Sequence, residues 1–179
     1  MMTIRSQQAG LIGLILSPML LALSAFLTHA GPRRIGGALV AGLLLMPFVF
    51  AWDALAARAG WWRYPSPSAS HGPPAYYITA GLWYGAGVGL IAWRVVRRFD
   101  ARGLVGFLAA FAPYGVTRDY AGAKGTGLIA FAPGLAPAIA DAMAWASGGA
   151  LVQLVMHLVA GPARADALAR GQRGGREAG

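Results

Sequence analysis

The chain has 179 residues, of which 57% are hydrophobic and only 12% are charged. Soluble domains carry about 25% charged residues, so this composition excludes an ordinary soluble protein and predicts an all-α integral membrane protein. The absence of cysteine excludes disulfides, thiolate metal sites and cysteine nucleophiles. The formal net charge of +9 comes from basic residues between apolar stretches, a pattern typical of membrane orientation and not of nucleic-acid binding.

Five transmembrane helices are predicted, at about 20 apolar residues per crossing. The apolar stretch 126–161 is too long for one crossing, and Pro133 and Pro137 interrupt it, because proline lacks the N–H that a continuing helix needs. The fifth helix is therefore expected to begin near Ala136, after an irregular or half-inserted segment over residues 118–134. The predicted spans cover residues 10–30, 35–57, 76–96, 103–117 and 136–160.

Basic residues are divided unequally between the two sides of the predicted bundle. Because positively charged segments stay in the cytoplasm, the N-terminus is predicted outside and the C-terminus inside, in a bacterial cytoplasmic (inner) membrane. Residues 162–179 are rich in glycine and arginine and are predicted to form a basic, disordered cytoplasmic tail. Ten basic residues fall on the cytoplasmic side (Arg33, Arg34, Arg94, Arg97, Arg98, Arg102, Arg164, Arg170, Arg173 and Arg176) and five on the other (Arg5, Arg58, Arg63, Arg118 and Lys124).

A ridge of small residues runs along the predicted third helix, where Gly81, Gly85 and Gly89 recur every four residues. Glycines one turn apart let a neighbouring backbone approach closely, which drives helix association in lipid. The ridge has two candidate partners: another helix of the same chain, or a second copy or larger membrane complex. Packing within one bundle is favoured, because the second and fifth helices carry matching small residues (Ala38, Gly42, Ala140, Ala144 and Gly148).

Three of the six acidic residues, Asp53, Asp119 and Asp141, fall in or beside predicted spans. Ionisable groups in a bilayer are costly and indicate a functional site. The rise of about 1.5 Å per helical residue places all three near the outer pole. On one interpretation Asp53 and Asp119 pair with arginines and fix helix ends. On the other all three are catalytic: apolar surroundings keep Asp141 protonated as a proton donor, and Asp53 and Asp119 are paired carboxylates.

Aromatic residues crowd around the loop between the second and third spans. Many belong to an interfacial belt, and an aromatic-walled pocket is the alternative interpretation. Ring faces stabilise cations, so the candidate substrate-binding residues are Trp61, Trp62, Tyr76 and Tyr77, together with Arg58 and Arg118 of the same pole. His29 and His157 have no carboxylate positioned near them, so no metal site and no cofactor is predicted.

The stretch from Trp52 to Pro65, with Gly72 to Tyr77 following, resembles the lycopene cyclase domain of small membrane carotenoid cyclases over about residues 45–95. That family has an acidic helix end, then Gly-x-Trp-x-aromatic, then Gly-x-Pro-x-Glu-Glu. Asp53 matches the helix-end acid, but Tyr76 and Tyr77 stand where the family has its glutamates. The resemblance therefore implies either a replacement acid, Asp141 or Asp119, or a fold without catalysis.

Three functions follow as hypotheses. The first is a protein whose outer-pole pocket binds or transforms an apolar isoprenoid-like lipid, with Asp141 donating a proton to an alkene as in a cyclase-type isomerase. The second is a non-catalytic accessory subunit of a larger membrane complex. The third is a small transporter, which is disfavoured because no internal repeat is present. A retained lipid or a partner chain would discriminate between the first two.

Overall fold

The protein is described by a computed structural model over residues 4–65, 71–165 and 168. Three helical stretches in these residues, Leu11–Thr28, Pro32–Ala59 and Leu135–Ala160, are long and apolar enough to cross a membrane. The chain is therefore an all-α membrane protein. Its elements are α1 (Ile4–Thr28), α2 (Pro32–Ala59), β1 (Trp62–Arg63), α3 (Pro74–Thr79), a π-helical segment (Ala80–Gly87), α4 (Val88–Thr126), β2 (Ala130–Phe131), α5 (Leu135–Ala160) and a 3₁₀ turn (Ala163–Ala165).

Helix α4 is interrupted at Asp100, whose φ of 54° and ψ of −141° are not helical. Residues on either side of this point lie next to each other: the guanidinium of Arg118 is 4.9 Å from the ring of Tyr84. A Cβ built on Gly103 would lie 2.9 Å from the carbonyl oxygen of Val95. The chain therefore folds back at Asp100, and α4 consists of two antiparallel arms.

The predicted irregular segment over residues 118–134 is wrong for its first half, because α4 continues to Thr126. The helix ends at Gly127, which has a left-handed φ of 63° and whose N–H bonds the Ala123 carbonyl at 3.0 Å. Polar residues misled the prediction, since a helix that leaves the apolar layer need not be apolar. Helix α5 begins at Leu135, one residue before the predicted start.

The glycine ridge packs inside the chain. A Cβ built on Gly85 would lie 2.6 Å from the Cα of Gly42 in α2, and one built on Gly81 would lie 2.8 Å from the Gly42 carbonyl oxygen. Gly89 faces α5 instead, where a Cβ would lie 2.8 Å from Val152 Cγ1. Two helix backbones meet here at a distance that any side chain would forbid. A seam between two copies would therefore need another face.

One end of the bundle is held by buried Arg34, which donates to the carbonyls of Met156 (3.2 Å), Ala160 (3.3 Å) and Gly161 (3.0 Å). The Ala160 and Gly161 carbonyls lie at the C-terminus of α5, where carbonyls lack an intrahelical partner. We call this end the arginine pole, and the opposite end, where α2 stops and α5 starts, the acidic pole. Helices α2 and α5 are thus antiparallel.

The start of the predicted tail is ordered at the arginine pole. Arg97 donates to the carbonyls of Ala163 (3.1 Å) and Arg164 (3.2 Å), and Arg164 forms an ion pair with Asp100. The prediction of a disordered tail is therefore wrong for residues 162–165. The rest of the tail, apart from residue 168, lies outside the described residues.

Candidate functional site

The acidic pole contains a cavity of about 690 Å³, counting the space at its mouth. We call it the aspartate cavity. It lies between α2, the π-helical segment, α4 and α5. Its polar lining is Asp53, Asp119, Asp141, Arg118, Tyr76 and Thr79, and its apolar and aromatic lining includes Leu45, Phe48, Val49, Trp52, Trp62, Tyr84, Phe111, Trp145 and Val152.

Asp53, near the end of α2, is buried and bound by three neutral donors. Its carboxylate accepts hydrogen bonds from Trp62 Nε1 (3.1 Å), Tyr64 OH (2.8 Å) and Tyr77 OH (2.8 Å). The predicted pairing of Asp53 with an arginine is therefore wrong, and Arg58 is exposed. Burial raises the pKa of the Tyr64 hydroxyl well above its usual value, which keeps it protonated as a donor.

These bonds tie the loop after α2 to the start of α3. The Tyr77 hydroxyl also accepts the backbone N–H of Gly72 at 2.8 Å. Trp62 in β1 pairs with Phe131 in β2, and their rings are 5.6 Å apart. Asp53 therefore lies at the centre of the hydrogen bonds that hold the loop after α2 and the start of α3 together at the acidic pole.

Asp119 has the arginine partner that the sequence predicted. It forms an ion pair with the adjacent Arg118, and its Oδ2 accepts Trp145 Nε1 from α5 at 2.8 Å. The Arg118 guanidinium lies 4.9 Å from the Tyr84 ring centre and 5.8 Å from that of Trp145, in the range of cation–π contacts. Trp145 lies where a side chain at Gly115 would have to be, so the glycine makes room for the indole.

Asp141 lies one turn before Trp145 in α5 and is only 5% exposed. Its Oδ2 is buried and has no hydrogen-bond partner within the described part of the chain. No base lies within a turn of Asp141 on its own helix, as expected, but Arg118 of α4 lines the same cavity. A buried carboxyl oxygen without a donor favours the neutral acid over the charged carboxylate.

The predicted substrate-binding residues divide into two groups. Trp62, Tyr76 and Arg118 line the aspartate cavity. Trp61, Arg58 and Tyr77 do not line it. Trp61 packs beside Trp62, with ring centres 6.5 Å apart. Arg58 is exposed, and the Tyr77 hydroxyl is bound to Asp53.

Five aromatic residues of the lining are not among the predicted substrate-binding residues: Phe48, Trp52, Tyr84, Phe111 and Trp145. Trp145 could have been found from its spacing, since it follows Asp141 by four residues and so shares its helix face. Tyr84 could not, because it lies in the π-helical segment Ala80–Gly87, where the extra residue per turn rotates the face that a regular helix would present. Such segments occur frequently at functional sites.

Among residues 4–65, 71–165 and 168, no group of three or more histidine, cysteine or acidic side chains is arranged to hold a metal ion. The lining of the cavity offers carboxyl groups, an arginine and aromatic rings within a largely apolar space. No protein-family model, curated protein or solved structure matches the chain.

Proposed function

We propose that the protein binds an apolar, isoprenoid-like lipid in the aspartate cavity and isomerises it by proton donation to an alkene. The observation that carries this proposal is Asp141, a buried carboxyl whose Oδ2 has no partner in the described residues and which lines a largely apolar and aromatic cavity. Such a group is suited to general acid catalysis, because desolvation keeps its proton in place until a base accepts it.

The proposed reaction conserves atoms and charge. The Asp141 carboxyl transfers its proton to one alkene carbon, and the adjacent carbon becomes a carbocation. The rings of Trp62, Tyr76 and Tyr84 line the cavity and stabilise this cation through their faces. Loss of a proton from a neighbouring carbon to the Asp141 carboxylate forms a new alkene and restores the acid, so the product is an isomer of the substrate.

The other two aspartates support this assignment by contrast. Asp119 is paired with Arg118, and Asp53 accepts three hydrogen bonds. These contacts favour the charged carboxylate against the opposing effect of burial, and a charged carboxylate provides negative potential toward a cation in the cavity. The resemblance to lycopene cyclase domains is compatible with these different roles of the aspartates. Asp53 matches the helix-end acid of that family. Tyr76 and Tyr77 stand at the positions of the family's glutamates, and in this proposal Asp141 takes over their role.

In the proposed arrangement the chain crosses a bacterial inner membrane five times, with its N-terminus outside. The third and fourth crossings are then the two arms that meet at Asp100. The excess of basic residues at the arginine pole supports a cytoplasmic position for that pole, and in this orientation the aspartate cavity would lie in the outer leaflet. The cavity would receive its lipid from the bilayer.

Deuterium incorporation tests the proposed reaction. The protein in lipid nanodiscs is incubated in D₂O with lycopene and, separately, with geranylgeraniol, and the products are analysed by mass spectrometry. We expect an isomer carrying deuterium with the wild type and at least a hundredfold less with Asp141→Asn. Asp100→Asn at the arginine pole is the control, because asparagine tolerates the positive φ of that position. Equal turnover in Asp141→Asn would contradict the acid role, and binding of neither lipid would contradict the proposed function.

A further inference from the structure

We infer that the ligand of the aspartate cavity carries one neutral oxygen atom, a hydroxyl or a carbonyl, bound by the indole N–H of Trp52 beside Asp141. This inference rests on the proposed function and specifies its substrate class: an oxygenated isoprenoid instead of a hydrocarbon. It also specifies which part of the ligand lies near the acid.

Two unpaired polar atoms in the lining carry the inference. Trp52 Nε1 is buried without a hydrogen-bond partner in the described residues, and so is Asp141 Oδ2. Both side chains line the aspartate cavity. Buried polar groups in proteins are nearly always hydrogen-bonded, and the other indole N–H groups of this lining, those of Trp62 and Trp145, are bound to Asp53 and Asp119.

The contacts between α2 and α5 place Trp52 and Asp141 at a similar depth along the two helices. The helices are antiparallel: a Cβ built on Gly148 would lie 3.2 Å from Leu45 Cδ1 and 3.4 Å from Phe48 Cε1. One turn beyond Phe48 along α2 is Trp52. From Gly148, α5 runs back one turn to Ala144 and then reaches Asp141. Trp52 and Asp141 therefore belong to the same layer of the interface.

The chemistry of the two atoms limits what can satisfy them. An indole N–H only donates, so its partner must be an acceptor, which a hydrocarbon cannot supply. A hydroxyl accepts from the indole and can also donate to a carboxylate, and a carbonyl can accept from both the indole and a protonated carboxyl. A charged head group is disfavoured, because the Arg118 charge is already paired with Asp119 and the remaining lining is largely apolar.

This contact would also orient the substrate. An oxygen held by Trp52 lies at the level of Asp141, so the alkene that receives the proton is close to the oxygen-bearing end of the chain. The apolar part of the ligand extends along Leu45, Val49 and Val152, which line the cavity away from the acidic pole.

Binding of three isoprenoids of equal chain length tests the inference: β-farnesene is a hydrocarbon, farnesol an alcohol and farnesal an aldehyde. Saturable binding to the protein in nanodiscs is measured by mass spectrometry of the retained ligand. We expect wild-type protein to bind farnesol or farnesal about tenfold more tightly than β-farnesene, the effect of one buried hydrogen bond. The alcohol and the aldehyde distinguish the two kinds of oxygen.

The variant Trp52→Phe keeps an aromatic ring and removes the N–H, so we expect it to reduce the preference to about twofold or less. Trp93→Phe is the matched control, because Trp93 Nε1 is also buried without a partner among the described atoms, in another cavity at the arginine pole. If the wild type binds β-farnesene as tightly as farnesol and farnesal, or more tightly, the inference is overturned while the proposed lipid binding stands. This comparison does not depend on any variant. A uniform loss for all three ligands in Trp52→Phe also overturns it. Binding of none of the three contradicts the proposed function and the inference together.

Discussion

The indole N–H of Trp145, one turn after Asp141 in α5, donates to Asp119 Oδ2 at 2.8 Å. This bond joins α5 to the arm of α4 that follows Asp100. The same indole lies against the guanidinium of Arg118. One side chain therefore orients an ion pair and forms a wall of the aspartate cavity. Asp119 and Asp141 reach this cavity from different helices, and Trp145 is the contact through which their positions depend on each other.

Loss of this contact should destabilise the acidic pole. Trp145→Phe keeps the ring and removes the only hydrogen bond that Trp145 donates to Asp119, and bonds to charged groups contribute about 1.5–3 kcal/mol. We expect a lower midpoint of thermal unfolding in detergent. Trp61→Phe, outside the cavity lining, is the control and should shift the midpoint less. An unchanged midpoint for Trp145→Phe would show that the bond contributes nothing to stability.

The glycine contact between α2 and the π-helical segment gives a second expectation. In Gly85→Ala the new Cβ would lie 2.6 Å from the Gly42 Cα, a backbone atom that cannot move away without separating the helices. Overpacking of this kind costs about 1–3 kcal/mol. Gly106→Ala is the matched control, since nothing lies within 4 Å of a Cβ there and alanine favours a helix. We expect opposite changes in thermal stability, and equal changes would mean that the ridge is not tightly packed.

The cluster around Asp53 should be sensitive to single hydroxyl groups. Tyr77→Phe removes a donor to Asp53 and also the acceptor of the Gly72 N–H, so it leaves two buried groups less satisfied, at about 1–3 kcal/mol. Tyr120→Phe is the control, because the Tyr120 hydroxyl has no hydrogen-bond partner among the described residues. Urea unfolding in mild detergent measures both variants. If the two free energies of unfolding agree, the Asp53 cluster is not a stability centre.

Cysteine labelling tests the proposed orientation, and the cysteine-free chain gives a clean background. Ala59 at the end of α2 and Ala101 beside the interruption of α4 are both exposed and lie at opposite poles. In intact bacterial cells, a membrane-impermeant thiol reagent should label Ala59→Cys and should reach Ala101→Cys only after the membrane is opened. Labelling of both from outside, or of Ala101→Cys alone, would contradict the proposed topology.

How far the sequence determined these features differs from residue to residue. Length and apolarity predicted the three helices of membrane-spanning length, Leu11–Thr28, Pro32–Ala59 and Leu135–Ala160, and Pro133 marked the break before α5. Helix ends that share a pole brought Asp53, Asp119 and Asp141 to one cavity, because depth follows from the helical rise. The π-helical segment Ala80–Gly87 could not be predicted, since its glycines are equally compatible with a regular, closely packed helix.

The hydrogen-bond partners were also beyond the sequence. Asp53 is bound by Trp62, Tyr64 and Tyr77 instead of by a nearby arginine, and charge patterning finds only charged partners. The link from Trp145 to Asp119 crosses between helices and depends on the rotation of each about its axis. Neither the neutral partners of Asp53 nor the rotation of the helices follows from spacing along the chain.

The protonation of Asp141 decides between an acid and a structural carboxyl, and infrared spectroscopy measures it without a substrate. Asp141 is 5% exposed and its Oδ2 has no donor among the described residues, so we expect a protonated carboxyl C=O band at neutral pH that Asp141→Asn removes. Asp53→Asn should remove much less of the band, because three donors favour the charged form of that carboxylate and so oppose the effect of its burial. Asp141→Asn should also leave stability nearly unchanged, since it replaces a neutral buried carboxyl with a neutral amide of similar size. A spectrum in which the band is absent from the wild type would mean that Asp141 is ionised, and the proton would then have to come from another group.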